Sequence, residues 1–262
     1  MRWLFVVSLA LSLWAGALQE SVERLIGPEA YAQNRLILKT VFSHKDRFYK
    51  NGRLNFVKIT YVLKRLGLIP EKFETKRLQR VAFETFESSP LFMKLMMKAM
   101  EEAEVFGYVI DEVERDEEGM RIVFSFESIQ AFDAPLVASF LEKSGVKVLG
   151  MEQREGVWRL FCDARDGRLG TVAIEDRTIF VREPLWIGVA GKERVWIESH
   201  PKNHWFAQIV IYDQELHPLQ LIEKSQKTDS LEIALPKGSY YIKISDRFTT
   251  KNIKYGLRIR VF

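Results

Sequence analysis

Residues 107–133, GYVIDEVERDEEGMRIVFSFESIQAFD, contain the pattern that decides the fold of this chain. Alternating apolar residues indicate two strands, Tyr108 to Arg115 and Met120 to Ile129. The residues between them, Asp116 to Gly119, are typical of a tight turn. The segment is therefore predicted to be an antiparallel hairpin, and Asp133 is placed to cap a helix that follows it.

The predicted hairpin lies between two predicted helices. The first begins at Pro90, behind two serines, and is predicted to run to about Phe106. A strand over residues 78–87 precedes it, and either one bent strand or a strand pair follows the second helix at Val146 to Asp163. The order β-α-β-β-α-β predicts a ferredoxin-like domain over residues 74–166, with two helices on one face of a four-stranded sheet. The fold names no function, because many unrelated functions share it.

Residues 167–262 contain many short apolar and β-branched runs separated by turn residues. Regular short strands of this kind predict an antiparallel β-sandwich. Three phrases, Ile211-Tyr-Asp213, LPKGSYYIKI at residues 235–244 and Tyr255-Gly-Leu257, resemble the bacterial pre-peptidase C-terminal β-sandwich. That resemblance implies an accessory module of a secreted protein, with a role in substrate binding, matrix binding or secretion.

The N-terminus has the organisation of a secretory signal peptide over residues 1–17. Arg2 is followed by the apolar run Trp3 to Trp14 and by the small residues Ala15-Gly-Ala17. The run is shorter than the roughly 20 residues that span a bilayer as a helix. Cleavage after Ala17 is predicted, which would leave no stable membrane span. A later site after Ala32 and retention of the run as an anchor are the alternatives.

Residues 18–73 are predicted to form a helical hairpin. Pro28 suits the first position of a helix, and Asn51-Gly52 separates that part from a second helix. The predicted apolar stripe of the first part consists of Leu36, Ile37, Val41 and Phe42. The segment LNFVKITYVLKRLGL at residues 54–68 resembles a group of bacterial periplasmic proteins of unassigned function. That resemblance implies a location and no activity.

Composition excludes several classes of protein. The chain has 262 residues, a formal net charge of +4 and a single cysteine. One cysteine excludes an intramolecular disulfide framework and a four-cysteine zinc site within the chain. The charge is too small for a dedicated nucleic-acid binder, so no nucleic-acid partner is predicted. Cys162 lies in a strand-like alternation and is predicted to be buried, with a reactive thiol as the alternative.

No motif indicates a catalytic centre. The sequence contains no phosphate-binding loop and no nucleophile elbow. The pair His200 and His204 lacks the helical context that would fix a zinc site, and the acidic run Glu112 to Glu118 is typical of a solvated turn. The chain is therefore predicted not to be an enzyme and to hold neither a cofactor nor a metal.

Two sets of residues are candidates for binding. Met93, Met97 and Met100 have helical spacing on the helix that starts at Pro90, where an exposed methionine face would suit an adaptable docking surface. Trp205 is predicted to lie on a turn beside His204, where an exposed indole could stack on a sugar or enter a partner's pocket.

The prediction from sequence is a periplasmic or secreted non-enzymatic protein that acts in protein–protein contact or envelope assembly. The expected partner is an envelope protein or a cell-wall polymer. Pairing of edge strands in the ferredoxin-like domain would serve such assembly and would also permit a homo-oligomer. The alternative is a carbohydrate- or peptide-binding module that uses the β-sandwich.

Overall fold

The computed structural model describes residues 16–117, 119–172 and 178–262. The predicted signal peptide lies outside these residues except at its last two positions. The protein is a mixed α+β chain with several sheets, as predicted. It divides into two compact units: the first contains the described residues up to Ser88 with Phe92–Gly167, and the second contains Ser89–Leu91 with Arg168–Phe262.

The described part of the chain begins with three short helices: α1 over residues 16–26, α2 over Pro28–Gln33 and α3 over Arg35–Val41. Pro28 starts α2, as predicted. The predicted apolar stripe is wrong at its first two positions, because Leu36 and Ile37 are 82% and 54% exposed. The break before Arg35 sets a new helical phase, in which Leu38 and Phe42, four residues apart, are the buried pair.

A small hairpin connects these helices to the next one. Strands β1 (Tyr49–Lys50) and β2 (Arg53–Leu54) are joined by Asn51-Gly52, whose φ angles are 51° and 76°. Two positive φ angles suit the tight hairpin turn for which Asn-Gly is the preferred sequence. Helix α4 (Phe56–Arg65) follows, and the Lys58 amide donates a hydrogen bond to the Asn55 side chain at its start. The predicted helical hairpin thus contains a strand pair in its connection.

The elements of the central region follow in the predicted order. They are β3 (Lys72–Thr85), α5 (Pro90–Glu102), β4 (Val109–Asp116), β5 (Gly119–Gln130), α6 (Ala134–Lys143), β6 (Lys147–Arg154) and β7 (Val157–Asp163). The predicted tight hairpin is confirmed, since Asp116 pairs with Gly119. The cap at Asp133 is also confirmed, because its side chain accepts a hydrogen bond from the Leu136 amide at 3.1 Å.

Among the described residues this sheet has five strands, in the order β4-β5-β3-β7-β6, so the predicted number of four is wrong. The extra strand arises because Glu155 and Gly156 have φ angles of 53° and 77° and fold residues 146–163 into a hairpin. Strand β7 then lies parallel to β3, between β3 and β6.

The two faces of this sheet differ in chemistry. Phe83 on β3 is opposite Ile122 on β5 and Leu160 on β7, and all three side chains are fully buried on one face. Arg80 and Glu84 alternate with buried residues of β3 and project from the other face. Residues 18–73 and, apart from Ser89–Leu91, residues 74–166 belong to this first unit, in which α4 packs against α6.

In its described residues, the second unit contains two four-stranded antiparallel sheets. The strands are β8 (Thr178–Ile179), β9 (Leu185–Gly188), β10 (Arg194–Ser199), β11 (Ala207–Tyr212), β12 (Pro218–Glu223), β13 (Ser230–Ala234), β14 (Tyr241–Asp246) and β15 (Leu257–Val261). Their orders are β13-β10-β15-β8 and β12-β11-β14-β9. Buried residues of both sheets, such as Ile197 and Ile244, belong to one hydrophobic core. A further predicted strand at residues 171–174 lies partly outside the described residues.

Candidate functional site

Strand β4 forms one edge of the five-stranded sheet. It stands last in the strand order, so within the described residues its outer side has no neighbouring strand. Val109 and Val113 on this strand are 64% and 47% exposed, and Phe106, three residues before the strand, is 75% exposed. An edge strand with exposed apolar side chains is a template for the addition of a partner's strand.

The same edge is strongly acidic. Residues 109–117 contain five carboxylates and a single basic residue, Arg115, in a chain whose overall charge is positive. The predicted solvated turn is therefore wrong for Glu112 and Glu114, which lie within the strand itself.

Two arginines on the charged face of the sheet hold the inner carboxylates of β4. Arg121 on β5 contacts Glu112 at 2.5 Å, Glu114 at 3.2 Å and Glu84 at 3.6 Å, and Arg80 on β3 contacts Glu112 at 3.3 Å. Partial burial opposes the charged form of Arg121, but its hydrogen bonds to Glu112 and Glu114 outweigh that effect and raise the pKa of the guanidinium. The network restrains the Glu112 and Glu114 side chains on the charged face of the sheet.

A cleft of about 370 Å³ opens at the end of the central strands, next to the acidic edge. Glu114, Asp116 and Arg121 line its charged side, and Phe86 and Phe161 line its apolar side. Phe86 is 76% exposed. A cleft with carboxylates and phenyl rings suits a side chain that has an apolar stem and a cationic end.

Cys162 also borders this cleft, and its environment disfavours the thiolate form. The residue is 1% exposed, as predicted from its strand context. Burial, followed by the charges of Glu84 and Glu87, raises the pKa of the thiol to about 12.

We expect native Cys162 to resist alkylation at neutral pH. Because the thiolate is the reactive form, the raised pKa lowers its fraction by a factor on the order of 10³. Labelling with iodoacetamide should therefore be at least about 100-fold slower in the native protein than in urea. Fast labelling of the native chain would show that the thiol is accessible and ionised.

The structure places the three predicted methionines differently. Met100 is fully buried, whereas Met93 and Met97 are only partly buried on helix α5. Methionines at this spacing are usually core residues, and Met100 is one, because it lies on the buried face with Met96; a docking face that includes all three methionines is therefore excluded.

The prediction that Trp205 is exposed is wrong. Its side chain is fully buried, and its indole Nε1 donates a hydrogen bond to the Ser245 carbonyl at 2.9 Å. Neighbouring Asn203, also buried, donates to the Gly256 carbonyl at 2.8 Å and accepts from the Tyr255 amide. These bonds make the loop part of the core, whereas His204 between them is exposed.

Comparison with family models, with curated proteins and with solved structures finds no match to this chain. None of the helices in the described part is both long and apolar enough to cross a membrane. Within the same residues, no three potential metal ligands lie together in a group that could hold an ion.

Proposed function

We propose that this chain is a non-enzymatic protein of the bacterial envelope that binds a partner protein through the acidic edge of its first unit. The observation that carries the proposal is strand β4, where Val109 and Val113 are exposed on an edge that also carries five carboxylates. Exposed apolar residues provide contact area, and the carboxylates select the partner by charge.

The charge pattern favours a basic partner over a second copy of the same chain. If two β4 strands paired side by side, their carboxylates would face one another, and like charges in opposed positions destabilise a strand pair. A partner strand with lysines and arginines would instead form favourable pairs. The adjacent cleft lined by Phe86 and Asp116 would accept one of those long side chains.

We also propose a fold for each unit and a location for the protein. The element order supports a ferredoxin-like first unit with an added strand, and the shared core of the two smaller sheets supports a β-sandwich. Residues 1–17 would direct export to the periplasm. Burial of Leu18, Val22 and Leu25 favours cleavage after Ala17, since cleavage after Ala32 would remove these packed residues.

Site-directed photocrosslinking in the native cells tests the proposal. A photoreactive residue at Phe106, next to the start of β4, should form an adduct with an envelope protein. Val113→Lys should reduce this adduct about tenfold, because it removes apolar contact and repels a basic partner. The crosslinked partner segment, identified by mass spectrometry, should be rich in lysine and arginine.

The matched control is Leu149→Lys on β6, the opposite edge strand of the same sheet. Leu149 is 41% exposed, so both variants add one charge to an exposed edge position. The adduct should persist in this control. An equal loss in both variants, or an adduct of the chain with itself, would refute the proposed edge and partner.

A further inference from the structure

The outer face of the sheet β13-β10-β15-β8 carries alternating basic and aromatic side chains. On β10, Arg194, Trp196 and Glu198 alternate with buried residues and therefore point away from the core. On β15, Arg258 and Arg260 do the same. The register places Arg260 opposite Trp196, with the guanidinium carbon 5.1 Å from the centre of an indole ring.

A second cluster continues this surface at the end of the two strands. Tyr255 is 40% exposed, and the Nζ atoms of Lys254 and Lys202 lie 5.0 Å and 6.0 Å from the centre of its ring. The ring of His200 lies 5.8 Å from the same ring, tilted by 30°. The His200 amide donates a hydrogen bond to the Gly256 carbonyl, which joins the cluster to the strand pair.

The combined surface is positively charged. Among the residues that the structure describes, its cations are Arg194, Lys202, Lys254, Arg258 and Arg260, and its carboxylates are Glu198 and Glu232. Glu232 forms a salt bridge with Arg194 at 3.1 Å, and Glu198 lies opposite Arg258. Within the described residues, neither Lys202 nor Lys254 forms a salt bridge with a carboxylate. The positive charges of both lysines therefore remain available to an anionic ligand.

We propose that this basic–aromatic surface binds an anionic polysaccharide. The ammonium groups of Lys202 and Lys254 can donate charge-assisted hydrogen bonds to sugar carboxylates. The exposed parts of the Tyr255 and Trp196 rings offer apolar surface to the sugar rings. Two lysines at one tyrosine ring place positive charge beside an aromatic surface, which suits a chain that repeats charged sugars.

Charge and shape favour a polysaccharide over other polyanions. The net charge of +4 is small for a protein that binds nucleic acid. Trp196 is only partly exposed and has the Arg260 guanidinium over its ring, which makes it poorly suited to insertion into a membrane. The proposal is independent of the acidic edge, because it concerns the other unit and a ligand of opposite charge.

Binding of the full mature chain to polygalacturonate, measured by affinity electrophoresis or calorimetry, tests the proposal. The methyl ester of the same polymer is the matched ligand, because it keeps the sugars and loses the charges. We expect binding to polygalacturonate at low salt, weakening as salt is added, and at least about tenfold weaker binding to the ester.

The variants separate charge from aromatic contact. The double variant Lys202→Gln, Lys254→Gln changes only exposed side chains. It should weaken binding to polygalacturonate about tenfold. Trp196→Ala should also weaken binding several-fold, since a ring face is lost. Trp186→Ala is the control, because this indole lies 5.8 Å from Lys243 on the outer face of the other sheet. It should leave binding unchanged.

Three outcomes would overturn the proposal. Equal binding of the ester would exclude recognition of the carboxylates. Unchanged binding of the double lysine variant and of Trp196→Ala would exclude this surface. Tighter binding to single-stranded DNA or to vesicles of anionic phospholipid than to polygalacturonate would assign the surface to another polyanion. Val113→Lys should leave polygalacturonate binding unchanged, which separates this test from that of the acidic edge.

Discussion

Replacing Trp205 with alanine is expected to lower the free energy of unfolding of the second unit by about 3–5 kcal/mol. The side chain is fully buried in the core shared by the two sheets, and no smaller residue can fill that volume. The change also removes the donor that satisfies the Ser245 carbonyl. Thermal unfolding should show a fall in Tm of more than about 10 °C.

Trp186→Ala provides the matched control for this prediction. This variant also removes an indole from the second unit, but the indole of Trp186 is partly exposed on the outer face of a sheet. Its cost should be clearly smaller, because less apolar surface leaves contact with the protein. If Trp205→Ala kept the wild-type Tm, the placement of Trp205 in the core would be contradicted. Loss of ligand binding in Trp205→Ala would report unfolding and not a lost contact.

Replacing Gly119 with alanine is expected to cost the first unit at least about 2 kcal/mol. A β carbon on Gly119 would lie 1.9 Å from the Thr85 carbonyl oxygen and 2.9 Å from the Phe86 Cα atom, and both are backbone atoms. Its φ angle of 147° is also one that side chains disfavour. Hydrogen exchange of the β4 and β5 amides should show loss of protection at the acidic edge.

Gly156→Ala separates the steric effect from the backbone effect. Gly156 also has a positive φ angle, 77°, but nothing lies within 4 Å of a β carbon added there. Gly156→Ala should therefore lower the free energy of unfolding by about 1–2 kcal/mol, the penalty for a residue with a β carbon in the left-handed conformation. Equal costs at the two glycines would show that the sheet end relaxes around the added methyl group.

The parts of the fold predicted correctly are those with local signals. Pro90 starts a helix through its fixed φ angle, whereas Asp133 caps another and Asp116 to Gly119 close a hairpin through hydrogen bonds within a few residues. The end of α5 was misplaced at about Phe106 because its stop signal is unusual. Glu104, with a φ angle of 59°, takes the left-handed position that glycine normally fills, and the Val105 amide bonds back to Met100.

The candidate site depended on information that the sequence carries only weakly. Edge pairing was anticipated as a route to assembly, yet which strand lies at the edge depends on strand order. Strand β7 pairs in parallel with β3, and no short sequence motif indicates such a pairing. As a result, β4 lies at one edge of the sheet and β6 at the other. The turn residues around Trp205 indicate that it is exposed, and this prediction is wrong. The buried Asn203 side chain donates a hydrogen bond to the Gly256 carbonyl and so holds the loop against the core.

The parallel pairing of β3 with β7 has a consequence for the order of folding. Arg80 is paired with Val157, so the centre of the sheet closes only after a loop of more than seventy residues has formed. Contacts so distant in sequence form slowly, whereas the β4–β5 hairpin can form early. A chain that emerges from the N-terminus onward therefore keeps one side of β3 open until β7 arrives. Until then, the open side of β3 is an unpaired strand edge that other chains can join, so this is a stage at which the chain is prone to aggregate.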